Sequence, residues 1–516
     1  MIMKKFFLVT AIASTIFAVG CSNNNELGQE DSHIKENKNS ISFVGGIDNN
    51  QTATRTSITH TVGNGAIAYW SSGDKIWVKD NSGMFHQSST GVVNATKTKG
   101  LFNMLNGTYS NGCQVNYVGS SSDGTKVTIA ANQSQAVAND FSHAGASGDC
   151  GTAIATGSGS SFVFTLQHKA AYLCLMPRST NAAFMACKLT GIKIISNNTI
   201  AGVYDFSSGN LSTAPISSAS NTISLTTNNF SIPNIDTQSS ASYVVIAPGV
   251  HTLTIQYQLL DPNTGQTGTV TKYVSSTFVA GNIYDIKSNF DTNTIGREYY
   301  LWDAKYDVWF GHTADQPYKN DTYDTNGINN YPISSSDIRW YNPTTSMSAR
   351  AQNSSKDCPT TNEITWYAKF GDPHWDANEL WAWNGMGTVQ KGGMWIKKKA
   401  YISGFTASIG ATGIDYNSNP VLQAPFSTPT IQGRPSSSDI NKYFFLPAEG
   451  RYRFFRDGKT GIMKDVGVTG TYYPSTNTPV VPGAPDGTYS LHFTKDFLAL
   501  FNGGTKKDAI MNWKAQ

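Results

Sequence analysis

Two groups of residues in this chain have types and spacing suited to chemistry. The first is Cys21, which follows Lys4, Lys5, an apolar run over residues 6–19, and Ala18-Val19-Gly20. That order is the pattern of a bacterial lipoprotein signal over residues 1–21. The segment is cut before the cysteine, whose thiol then takes a thioether lipid while its amine is acylated. The apolar run is too short for a comfortable membrane span, and several acyl tails anchor a protein stably. The alternative is an ordinary secretory signal in which Cys21 is incidental. The second group is Trp375, Trp381 and Trp383 with Asp372, His374, Asp376 and Glu379. Exposed indole faces stack on the apolar faces of sugars, and carboxylates hold Ca²⁺ through oxygen. Against that, most tryptophans of a loop-rich domain are core, and carboxylates near turns are usually solvated.

Other chemistries find little support. Beyond Cys21 the chain carries Cys113, Cys150, Cys174, Cys187 and Cys358, an odd number, so at least one stays free or pairs with another chain. Export permits disulfides. Cys113 could bridge Cys150, and Cys174 could bridge Cys187 or simply sit in the core. With no CxxC pair and no Cys/His cluster, the reading assigns no metal and no cofactor. No GxSxG, HExxH or GxxxxGK[ST] motif occurs. His168 reads as a satisfied strand position. Glu363, Asp372 and Glu449 could be imagined as a glycosidase pair, but carboxylates are common in any domain, so the chain is read as not an enzyme. A net charge of +3 without a long basic run gives no support for nucleic-acid binding; Lys397-Lys398-Lys399 reads as a solvated strand end.

The elements that must position these residues are strands. Charged residues are only 14% and aromatics 12%, with abundant Ser, Thr, Asn and Gly, a balance that suits an all-β protein. Residues 22–40 are polar and acidic and read as a flexible tether. Residues 41–160 carry short apolar segments such as Ile41-Ser42-Phe43 and Lys75-Ile76-Trp77-Val78, broken by turns such as Ser71-Ser72-Gly73-Asp74. Residues 161–292 read as a second β unit. There Leu253, Ile255, Tyr257 and Leu259 alternate with Thr252, Thr254, Gln256 and Gln258, a half-buried strand. Residues 297–516 form a third, loop-rich region holding nine of the eleven tryptophans. Residues 494–501 could be a short helix or a strand.

The first two units resemble the fimbrillin family of pilin-like surface lipoproteins. The matching pieces are the lipobox, Ile41-Ser42-Phe43, Thr54-Arg55-Thr56, Trp70-Ser71-Ser72-Gly73-Asp74-Lys75-Ile76, Phe164-Thr165-Leu166-Gln167-His168, and Phe278-Val279-Ala280-Gly281-Asn282-Ile283-Tyr284. The resemblance implies two tandem transthyretin-like β-sandwiches. It also implies assembly with other fimbrial subunits by β-strand exchange. In such fimbriae an Arg-specific protease removes the first strand, and Arg55 is the residue that carries over. Its cut would also release the membrane anchor on Cys21. Around Tyr472-Tyr473-Pro474-Ser475 and Tyr489-Ser490-Leu491, residues 297–516 resemble a C-type lectin-like module that often ends bacterial surface lipoproteins. Tyr473 stands where that module usually has Trp, and its closing Arg-Cys pair is absent. These resemblances imply a fimbrial tip or accessory subunit at the outer-membrane surface that mediates cell adhesion to a glycan or protein ligand. The alternative is a non-fimbrial surface glycan-binding lipoprotein.

Overall fold

The Gly249–Leu260 strand shows how a period of two in the sequence becomes a sheet. Leu253, Ile255, Tyr257 and Leu259 are buried, while Gln256 is half-buried and Gln258 exposed. The strand pairs along its whole length with Thr267–Phe278, antiparallel. Asp261 closes the hairpin: its carboxylate accepts from the Asn263 N–H at 2.9 Å, and its own N–H donates to Gln266 O at 2.8 Å. The computed structural model describes residues 40–46, 57–324, 326, 328–346, 348–418, 427–455, 460–477, 486–514 and 516. Strands make up 42% and helices 7%, which makes the protein mostly β, with several sheets.

Three principal hydrophobic clusters organise residues 41–516. The first gathers Phe43, Trp70, Ile76, Phe102, Tyr117, Phe162 and Phe164. It lies beside a five-stranded sheet that includes Ile41–Gly45, Gly100–Met104 and Ser161–Phe164. The second cluster contains the inward faces of Ala171–Arg178, Lys188–Ser196, Ser242–Ile246 and Gly249–Leu260. The third is aromatic and holds Tyr299, Trp309, Tyr367, Trp381, Trp383, Tyr452 and Trp513.

Chain order and core membership do not coincide. Ile58, Ala68, Val127, Ile129 and Phe141 precede residue 160 yet belong to the second cluster. Conversely, Ser161–Phe164 is hydrogen-bonded in the first sheet, in parallel with Ile41–Gly45. Pairing partners distant in sequence decide these memberships, and local composition does not report them.

The third region extends the second region's sheet. A ten-stranded sheet crosses from Thr267–Phe278 to His374–Trp383 through one parallel pair, Thr269 with Glu379. A Cβ at Gly268 would lie 2.7 Å from Asn378 O and from the Leu380 side chain, so glycine permits this approach. Phe497–Thr505 is a strand. Thr361–Phe370 is a helix with a capping box, in which the Thr360 side chain accepts from Glu363 N–H and the Glu363 side chain accepts from Thr360 N–H.

All five cysteines among the described residues carry free thiols, so neither the Cys113–Cys150 nor the Cys174–Cys187 bridge forms. Cys113 and Cys150 belong to different clusters. The Cys187 thiol lies 3.3 Å from Ala183 O within its own turn, while Cys174 occupies the middle strand of a three-stranded sheet.

Two half-buried histidines set a pH dependence. Burial pushes His143 down to about 4. Burial, with Arg451 adding to it, pushes His492 to about 4 as well. In the unfolded chain a histidine titrates near 6.5. Between these values the unfolded state binds protons that the folded state refuses. Stability is therefore full above pH 6.5 and is lost as pH falls toward 4. Melting temperature is expected to fall across that window, and a His143→Gln/His492→Gln double variant is expected to show a shallower fall in scanning calorimetry. An unchanged slope would assign the effect to other groups.

Candidate functional site

The Ile41–Gly45 strand fills a slot in the first sheet. It runs antiparallel to Gly100–Met104 and parallel to Ser161–Phe164. Register places Phe43 opposite both Phe102 and Phe162. The Phe43 ring is wholly buried and stacks on Phe162 at 4.8 Å, and it meets Tyr109 edge-on at 5.4 Å. Ile41 is half-buried against the same cluster. At Gly45 a Cβ would come within 2.7 Å of the Trp70 ring and 2.8 Å of the Phe164 ring, so a side chain has no room. The Trp70 indole N–H donates to Gly45 O at 3.3 Å. The slot therefore selects an apolar residue, an aromatic ring and a glycine at successive inward positions, with main-chain bonds on both sides.

The tryptophan cluster falls to the core alternative and not to the ligand one. Trp375, Trp381 and Trp383 all lie in the third core, the last two with no exposed surface. Trp381 and Trp383 pack edge-to-face at 5.0 Å. Their indole N–H groups donate to Gly392 O at 3.0 Å and Tyr299 Oη at 3.1 Å. Packing takes the ring faces that a sugar would need, so aromatic stacking on a glycan is not available to them. Nor do the two aspartates share a site. Asp372 receives the Tyr443 hydroxyl at 2.6 Å and pairs with Lys397 at 3.3 Å.

Asp376 instead joins a buried charge cluster at the sheet junction. Its carboxylate pairs with Arg434 at 2.9 Å and accepts from the Trp395 indole N–H at 3.1 Å. Glu379 is fully buried and accepts from the Thr271 N–H and hydroxyl at 3.0 and 2.7 Å and from Asn293 at 2.8 Å. Burial raises the Glu379 pKa, with Arg434 opposing the rise. Arg434 also donates to the hydroxyls of Thr269 and Thr271. Beside this cluster lies an open polar groove of about 570 Å³, lined by Lys193, Gln256, Gln258, Thr269, Asn378 and Arg434 among others. Gln256 and Gln258 belong to the polar row of the Gly249–Leu260 strand's alternating pattern, whereas Arg434 carries no motif. Cys21 and Arg55 lie outside the described residues. Among the described residues no helix is long and apolar enough to cross a membrane.

No protein-family model matches the chain, and no curated protein matches its sequence. Several solved structures are similar. A putative cell adhesion protein from Bacteroides ovatus shares 16% identity over 49% of this chain and 92% of its own, with a TM-score of 0.30. One from Bacteroides uniformis shares 16% over 50% and 95%, also with a TM-score of 0.30. A fimbrial protein from Bacteroides ovatus shares 11% over 91% and 98%, with a TM-score of 0.23. At these scores the similarity assigns neither a family nor a function.

The junction has a measurable energetic signature. Arg434→Met leaves two carboxylates buried without their cation, and breaking such a pair costs about 3–5 kcal/mol. Denaturant unfolding is expected to show a loss of that order. Adding Asp376→Asn and Glu379→Gln is expected to restore part of it. No loss in the single variant would mean the cluster is not held as a charge pair.

Proposed function

We propose that this chain is a fimbrial subunit, at the tip or accessory to the shaft, that mediates cell adhesion and is joined to its neighbours by strand exchange. On this reading it comprises two tandem transthyretin-like sandwiches and a C-terminal adhesive region. It reaches the outer-membrane surface lipidated on Cys21 and is processed at Arg55. The observation that carries the reading is the placement of Ile41–Gly45 between two strands of the first sheet, with Phe43 closing the core. In sequence, Arg55 falls between this strand and the next, Ser57–His60. A cut there would free the strand to leave. Its departure would expose two strand edges and an apolar hole, both costly in water. An incoming strand with the same inward pattern would remove both costs.

For the adhesive contact, the polar groove at the sheet junction replaces the tryptophan cluster as the candidate ligand surface. That groove also supports the second reading, a permanently anchored glycan-binding lipoprotein.

Arg55→Ala is expected to keep the chain at full length on the cell surface and to exclude it from fibres, as read by immunoblotting and by immunogold microscopy with antibody to residues 297–516. Normal incorporation of the variant would overturn strand exchange through this cut. Gold on the membrane with no filaments, for the unaltered protein, would favour the anchored lipoprotein.

A further inference from the structure

We propose that His60, Cys174 and Asp285 form a transition-metal site that binds one Zn²⁺ per chain. Sheet register builds two-thirds of it. Ala171–Arg178 lies between Ser242–Ile246 and Ile283–Asn289, and the pairing sets Tyr243, Cys174 and Asp285 side by side in one cross-strand row. Paired residues on neighbouring strands point to the same face, so the thiol and the carboxylate converge. The third ligand arrives from the hairpin of Ser57–His60 and Ala66–Tyr69, whose last paired residue in the first strand is His60. The three ligand atoms all lie within 4.8 Å of one another. Small side-chain rotations bring them into reach of one ion bonded at about 2.0–2.3 Å.

The surroundings of His60 fix its orientation. Its Nδ1 lies 2.6 Å from Gly65 O, and a carbonyl can only accept, so Nδ1 carries a proton and donates. Nε2 then faces Asp285 Oδ1 at 2.6 Å. Two acceptor atoms this close require a positive ion on that side of the ring, either a proton or a metal. A backbone carbonyl behind the imidazole is the arrangement found behind metal-bound histidines. The carboxylate is held as well: Asp285 Oδ2 accepts from Gly63 N–H at 2.9 Å. The His60 side chain is wholly buried while that of Asp285 is 23% exposed, so an ion and a fourth, solvent-derived ligand reach the site past the carboxylate.

The donor set selects the metal. Sulfur and nitrogen with one oxygen suit a borderline-soft divalent ion and not Ca²⁺ or Mg²⁺, which take oxygen. Binding displaces the proton held between His60 Nε2 and Asp285 Oδ1 and converts the Cys174 thiol to a thiolate, releasing both protons to solvent with no change of oxidation state. The ion would tie the hairpin that follows Arg55 to the second region's sheet. The sequence gives no hint of the site, because His60 and Asp285 are 225 residues apart.

The test uses the full chain, reduced and stripped with a chelator, then titrated with Co²⁺. A thiolate-to-cobalt charge-transfer band saturating at one equivalent is expected, and Zn²⁺ should displace it and raise the melting temperature. Cys174→Ser should abolish the band, Cys113→Ser should leave it intact, and Asp285→Asn should weaken Co²⁺ binding tenfold or more. Circular dichroism confirms that the variants fold. Absence of the band in the unaltered protein overturns the site. So does its persistence in Cys174→Ser, or in Asp285→Asn with unchanged affinity. Should Cys174→Ser not fold, the Asp285→Asn affinity decides.

Discussion

The first core closes on one ring. Phe43 sits between Phe102 and Phe162 in adjacent strands, and the strand that brings it is only five residues long. A strand of that length holds its place through the main-chain bonds on both edges and through what its inward side chains fill. Burying a phenylalanine side chain stabilises by about 1.5–3 kcal/mol, a large share of what so short a segment can contribute. The same feature is what the proposed strand exchange requires. Main-chain bonding is indifferent to sequence, and the inward row asks only for apolar, aromatic and glycine in turn.

The junction between the second and third regions is held in the opposite way. There a single backbone pair links the two parts of the ten-stranded sheet, and the side chains carry the register. Arg434 bridges Asp376 and Glu379 while donating to Thr269 and Thr271 on the neighbouring strand. A buried charge cluster of this kind adds little net stability over an apolar one. It does penalise any shift of one strand against the other, because each carboxylate would lose partners it cannot replace from water. Burial also pushes Lys272, on the same strand as Thr269, down to about 8, with Glu379 and Asp291 pulling the other way.

What was legible in the sequence follows from how local each cause is. The half-buried strand at Gly249–Leu260 was readable because its alternation is a property of consecutive residues. Helix Thr361–Phe370 was missed because Ile, Thr, Trp, Tyr and Phe lower its propensity, and its capping box is only four residues long. The alternation of Phe162, Phe164 and Leu166 marks a strand at the start of the second unit, yet the partner of Ser161–Phe164 is Ile41–Gly45. The tryptophans are countable, but whether a ring is core or surface depends on Gly392 in the paired strand and on Tyr299 and Phe493, both distant in sequence. The row of Tyr243, Cys174 and Asp285 is a product of register, and Arg434 meets Asp376 from 58 residues away.

Register also bears on what a cut at Arg55 would do. On one side of that residue, Phe43 belongs to the first core; on the other, Ile58 and Ala68 belong to the second. Ile58 N–H donates to Phe141 O at 3.5 Å, and His60 is tied to Asp285 and to Gly65. The two segments flanking Arg55 are therefore held by different cores, with separate partners. Losing Ile41–Gly45 removes one plug and two rows of main-chain bonds from the first sheet, while the pairing of the following hairpin and its ties to Phe141 and Asp285 do not involve that strand. A cut elsewhere, for example between Ser57–His60 and Ala66–Tyr69, would divide a paired hairpin and leave half of it attached to each fragment. On the proposed reading, this division between cores lets the segment before Arg55 leave the first sheet without undoing the pairing that holds the hairpin after it.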